Sequence, residues 1–121
     1  MKYFKKLRKE LDKYLAQDSV GRIAHAYEFA AHAHADQTRH TGEAYIVHPV
    51  AVAMILAKMR LDQQTIIAAL LHDVLEDTLV QKEQLVRLFG DEVADLVDGL
   101  SKLTSIEFET RAQAQAENFK K

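Results

Sequence analysis

The segment TIIAALLHDVLEDT, residues 65–78, constrains this chain more than any other. Its first half is an apolar run far short of the roughly 20 residues that a membrane span needs. A helix that is apolar all round is buried on every side. The run then passes without a break into His72, Asp73, Glu76 and Asp77. A chain that folds around this segment has to bury the first half and still accommodate one histidine and three carboxylates at its end.

On a continuous helix, taking His72 as zero, Glu76 falls at about 40°, Asp73 at about 100° and Asp77 at about 140°. Leu71, Val74 and Leu75 take the opposite arc, so the four polar groups share one face. Two like charges about 6 Å apart at an effective dielectric near 20 repel by roughly 3 kcal/mol. Three carboxylates in a partly buried cluster therefore need raised pKa values or a cation. No Lys or Arg lies within four residues on that helix. A divalent metal meets the need, because imidazole and carboxylate are both good ligands for one. The same residues also fit a solvated helix end with His72 as a hydrogen-bonded core histidine.

His48 favours the metal reading. It stands beside Pro49 at the start of a different helix, where it can face a cleft as a distant third ligand. His32 and His34, two apart, lie on opposite faces of a helix and are poor joint ligands, better read as structural or surface residues. His25 and His40 have no partner at ligand spacing. Arg39, in the polar loop before His48, reads as a surface arginine on its own. Beside a metal site, its guanidinium can stack on a base or pair with phosphate.

The rest of the chain reads as all-α. Leu7, Leu11, Tyr14 and Leu15 form a helical stripe with Tyr3 and Phe4 over residues 2–15. A second helix is expected from an N-cap region at Asp18 and Ser19 to about Ala35. The polar stretch 36–44 is a loop, and Pro49 suits the first turn of a third helix that ends near Arg60. Asp62 caps a fourth helix whose body runs through LLHDVLED. A fifth covers about 82–89 and stops at Gly90, and a sixth starts at Asp91. The tail from Ile106 is helix-compatible. YIV at 45–47 is too short for a strand. One proline and four glycines in 121 residues agree with long helices, and the length is about one domain's worth.

Composition narrows the function classes. The formal net charge of −2 gives no bulk attraction to nucleic acid or to an anionic membrane. The absence of cysteine excludes disulfides and thiolate metal sites. The first fifteen residues, MKYFKKLRKELDKYL, hold no apolar core of signal-peptide length. The expectation is a soluble cytoplasmic protein.

Taken in order, HADQTRHTGEAYIVHPVAVAMIL, AALLHDVLEDT and LFGDEVADLVDGLSKLT resemble the hydrolase domain of the RelA/SpoT family, which handles the alarmone (p)ppGpp. The resemblance covers nearly the whole chain from about residue 20. It is closest to the SpoT-like branch, because the His-Asp pair and the Glu-Asp that follows are both kept. It implies an HD-domain-type helical bundle of about six to seven helices, incomplete at the C-terminus. Residues 1–121 would then be a single partial domain at the start of a longer synthetase/hydrolase. His48, His72 and Asp73 are implied as metal ligands, with Mn²⁺ as the metal. Glu76 and Asp77 match the catalytic pair that orients or deprotonates the attacking water. Arg39 matches the arginine that packs on the guanine base, and His40 and Thr41 fall where loop residues line the nucleotide pocket. His40 departs from the lysine or serine common there, and Ala44 replaces a frequent proline.

The implied reaction removes pyrophosphate from the ribose 3′-oxygen of (p)ppGpp, giving GDP or GTP. The family's fourth ligand, an aspartate in a motif resembling A-D-R-x-H-N-M, has no counterpart here, and Asp91, Asp95 and Asp98 do not match it. The expectation is thus an N-terminal piece with an incomplete site, whose cut end is a surface for self-association. Two alternatives stay open: an HD-type phosphohydrolase for another nucleotide, and a non-catalytic helical fragment for regulation or association.

Overall fold

The computed structural model of the chain describes residues 3–38 and 42–102. The described residues form helices and no strand: α1 (Lys5–Asp12), α2 (Gln17–Ala33), α3 (Val47–Lys58), α4 (Gln63–Leu71), α5 (Val74–Asp77) and α6 (Lys82–Phe89). Residues 91–102 are helical as well and are called α7. The expected all-α bundle is what forms.

α4 is the centre. Residues Ile66, Ile67, Ala68, Ala69, Leu70 and Leu71 are all buried, as an unbroken apolar run demands. α2 and α3 pack against it, and α1 closes over α2 and α3. Leu7 and Leu11, one turn apart, bring the buried face of α1 into this core beside Phe4. Each fully buried Leu or Ile contributes about 1.5–3 kcal/mol. α4 alone supplies four of them, so it anchors the bundle.

The helix ends follow local chemistry. Pro49 sits buried in the first turn of α3, where its missing N–H costs nothing. α3 stops at Met59, and Arg60 turns left-handed with φ 62°. Its guanidinium lies over the Tyr14 ring, 5.1 Å from the centroid. Gly90, with φ 96°, ends α6 and lets α7 begin at the next residue. The Gln84 side chain accepts the Gln81 N–H at 3.0 Å at the start of α6.

Three boundaries differ from expectation. α2 begins at Gln17, so Asp18 lies in its first turn, favourable to the helix dipole, rather than capping it. Asp62 does precede α4, but its carboxylate accepts the Thr65 hydroxyl at 2.5 Å and no backbone N–H. The largest difference is that the helix expected to run through 63–77 is interrupted: α4 ends at Leu71, His72 and Asp73 form a turn, and α5 restarts at Val74. The tail from Ile106 lies outside the described residues. None of the described helices is long and apolar enough to cross a membrane.

Candidate metal centre

The turn between α4 and α5 presents His72 and Asp73 side by side, and α3 brings His48 to them. The His48 N–H donates to the Tyr45 carbonyl at 3.1 Å, so the turn leading into α3 sets where its imidazole starts. His48 Nε2 lies 4.0 Å from Asp73 Oδ2, and His72 Nε2 lies 3.2 Å from Asp73 Oδ1. The two imidazole rings are 6.1 Å apart at 61°. One donor atom from each of the three residues falls within 4.8 Å of the others. Asp73 is buried, His72 is nearly so, and the His48 side chain is 40% exposed, which leaves the cluster open on that side.

His72 Nδ1 stands 2.7 Å from the Ala69 carbonyl oxygen. A carbonyl only accepts, so Nδ1 carries a proton, and in the neutral tautomer that this selects, Nε2 presents its lone pair. That lone pair faces a carboxylate oxygen. Two acceptors at 3.2 Å repel unless positive charge sits beside them, and no Lys or Arg within reach on α4 or α5 supplies it. Two imidazole nitrogens and one carboxylate oxygen suit a divalent transition metal. A backbone carbonyl holding the far ring nitrogen is the usual way a ligating histidine is oriented. The donor set therefore fits a metal ion.

Asp77 joins this corner through a residue that the sequence reading did not single out. The Tyr45 hydroxyl lies 2.7 Å from Asp77 Oδ2 and 3.1 Å from Asp73 Oδ2. Burial, the hydrogen bond to Asp77 and the charges of Asp73 and Asp77 push the Tyr45 phenol well above its ordinary value. It is a proton donor at any physiological pH. The Tyr45 ring stacks on the buried His34 ring, with centroids 4.6 Å apart and planes at 30°. His34 Nδ1 meets Gln37 Oε1 at 2.6 Å, and the Gln37 amide donates to the Asp77 backbone carbonyl. His34 is thus structural, as its spacing suggested, with Nε2 buried and without a hydrogen-bond partner.

Glu76 goes elsewhere. The helical projection put it on the face of His72, and its carboxylate is engaged by α7: Glu76 Oε1 accepts the Ser101 hydroxyl at 2.9 Å. Arg39, His40 and Thr41 lie outside the described residues. Their flanks are placed: Thr38 and Ala44 pair in an isolated antiparallel bridge, and the Tyr45 N–H donates to the Gln37 carbonyl at 3.2 Å. Both feet of that loop are therefore tied to Asp77, one through Gln37 and one through Tyr45. The only sequence hint of Tyr45 was its place three residues before His48. Nothing in a linear pattern says that its hydroxyl crosses to residues 28 and 32 positions away.

On the other side of His72 lies an apolar cavity of about 420 Å³ between α3, α4 and α7. Val52, Leu56, Ala68, Leu96 and Leu100 contribute to its wall.

Residues 26–121 match the family model described as "HD domain". The chain is 50% identical over its whole length to the bifunctional (p)ppGpp synthase/hydrolase SpoT of Escherichia coli (strain K12), of which it covers 17%. It is 52% identical, with the same coverage, to the guanosine-3′,5′-bis(diphosphate) 3′-pyrophosphohydrolase of Vibrio cholerae. A GTP pyrophosphokinase of Myxococcus xanthus is 47% identical over 102 residues, which is 82% of this chain and 14% of that protein. The chain therefore spans about a sixth of the length of these curated relatives. Their names cover both making and breaking the same kind of nucleotide, so identity alone does not choose between the two.

Proposed function

This chain belongs to the HD domain family, and from that premise we propose that it carries the hydrolase site for (p)ppGpp, with Mn²⁺ held by His48, His72 and Asp73. The observation that supports this most is the cluster itself: two imidazoles and a carboxylate whose donor atoms lie within 4.8 Å of one another, with no Lys or Arg on α4 or α5 to balance them. An ion held by two imidazoles and a carboxylate suits metal-assisted hydrolysis of a diphosphate. The bound ion supplies Lewis acidity toward a phosphoryl oxygen and a lowered pKa for water.

The chain's residues do the rest. Asp77, held beside Asp73 by the Tyr45 hydroxyl, takes a proton from the attacking water. The water oxygen bonds to the phosphorus attached to the ribose 3′-oxygen, the phosphorus–3′-oxygen bond breaks, and pyrophosphate leaves. The 3′-oxygen takes up a proton, and GDP or GTP results. Glu76, bound to Ser101, orients rather than accepts. Arg39 stacks on the guanine, with His40 and Thr41 beside it in the loop whose feet are fixed to Asp77. The proposed setting is the cytoplasm.

The test is ppGpp turnover with Mn²⁺ by the protein that carries this chain, compared with its His72→Ala variant. Turnover in the parent and loss of at least about 100-fold in the variant is expected. Equal turnover in both would sink the assignment.

A further inference from the structure

Two aspartates, Asp73 and Asp77, approach one phenol oxygen, and only one of them belongs to the cluster of potential metal ligands. We propose that Tyr45 is a positioning residue that sorts them: its hydroxyl donates to Asp77 Oδ2, keeps Asp77 out of the ligand set as a free carboxylate, and leaves Asp73 to the metal. This rests on the reading of His48, His72 and Asp73 as metal ligands.

A phenol has a single O–H, so it donates fully to one oxygen. At 2.7 Å, Asp77 Oδ2 is at the usual length for such a bond, whereas Asp73 Oδ2 at 3.1 Å is beyond it. The proton goes to Asp77. The phenol is also held in place: its ring stacks on buried His34, and its backbone N–H is tied to Gln37. Gln37 in turn grips the Asp77 main chain. Asp77 itself ends a helix of four residues, and among the described residues its carboxylate is hydrogen-bonded by Tyr45 alone. Remove the hydroxyl and two carboxylates on adjacent turns compete for the same cation. Adding a carboxylate to a divalent site raises its affinity, but it also takes away the base.

The proposal therefore predicts opposite changes in binding and turnover, which a merely structural role for Tyr45 does not. Mn²⁺ is titrated into the protein that carries this chain and followed by the EPR signal of the free ion. The samples are wild type, Tyr45→Phe, Asp77→Asn and the double variant, with helical circular dichroism measured on each. Tyr45→Phe, which keeps the ring and its stack, is expected to bind Mn²⁺ about 5-fold tighter, and the added Asp77→Asn change to cancel that gain. In the parent protein, Tyr45→Phe is expected to lower kcat about 10-fold or more with KM little changed. Unchanged or weaker Mn²⁺ binding by a folded Tyr45→Phe protein overturns the proposal. If that variant does not fold, Asp77→Asn alone decides: unchanged Mn²⁺ affinity supports the sorting, and a loss overturns it because Asp77 would then be a ligand. Failure of the wild-type protein to bind Mn²⁺ overturns the three-ligand reading and the sorting with it. Binding by wild type without tightening in Tyr45→Phe overturns the sorting alone.

Discussion

His72 stands between two walls that are built on opposite principles. On one side Tyr45, Asp77, Gln37 and His34 are joined by hydrogen bonds and a ring stack, each partner fixed by direction as well as distance, with Asp73 Oδ2 3.1 Å from the same phenol. On the other side Val52, Leu56, Leu96 and Leu100 border a cavity of about 420 Å³, and Leu96 and Leu100 remain 41% and 40% exposed. Hydrogen bonds are lost when an atom moves by a few tenths of an ångström. Apolar contact is proportional to area and has no direction. The polar wall therefore permits one arrangement of its groups, whereas the apolar wall tolerates several.

The largest test of that contrast lies on the polar wall. Asp73→Asn keeps the shape of the side chain but removes the charge that faces both imidazoles. Mn²⁺ binding by the chain and ppGpp turnover by the parent are each expected to fall by about 100-fold or more, with helical circular dichroism retained. Retention of binding would mean that the polar wall is not the metal wall.

Leucines under and beside the cavity come next. Leu70 is wholly buried in α4, so Leu70→Ala is expected to cost about 2–5 kcal/mol in urea unfolding. Leu96→Ala removes a side chain that is already partly in water, and is expected to cost less than about 1 kcal/mol. A large loss from Leu96→Ala would show the apolar wall to be as tightly specified as the polar one.

The smallest effect concerns a phenol with no carboxylate bonded to it. Burial pushes the Tyr27 hydroxyl above its ordinary pKa of 10.0. Below that pH both the folded and the unfolded chain keep the proton, and its contribution to stability is complete. As pH rises past about 10 the unfolded chain loses the proton first, so stability falls. Urea midpoints are expected to drop more steeply above that pH in wild type than in Tyr27→Phe. Equal slopes would show that this hydroxyl is not the titrating group.

Much of the architecture was legible because it depends on period and punctuation. Leu7 and Leu11 marked the buried face of α1, Pro49 the first turn of α3, and Gly90 the end of α6. Charge balance pointed to a cation beside His72 and Asp73, the place of His48 before Pro49 offered a distant third ligand, and the family resemblance implied the set of three whose donor atoms come together. The break between Leu71 and Val74 was not legible. HDVLED is as helix-compatible as its surroundings, and the turn is set by His72 bonding back to the Ala69 carbonyl. Tyr45 was passed over in a tripeptide read only for strand character, because its role comes from contacts across a loop that no local pattern encodes.

The wrapping of α4 also sets how long the site lasts. Residues 66–71 have no solvent face, so their amide hydrogens have no local opening through which to exchange and should be released only when the whole chain unfolds. His72 is fastened to that segment through the Ala69 carbonyl. The imidazole's orientation thus persists for the lifetime of the native state, and heat or denaturant removes the site and the fold in one cooperative event.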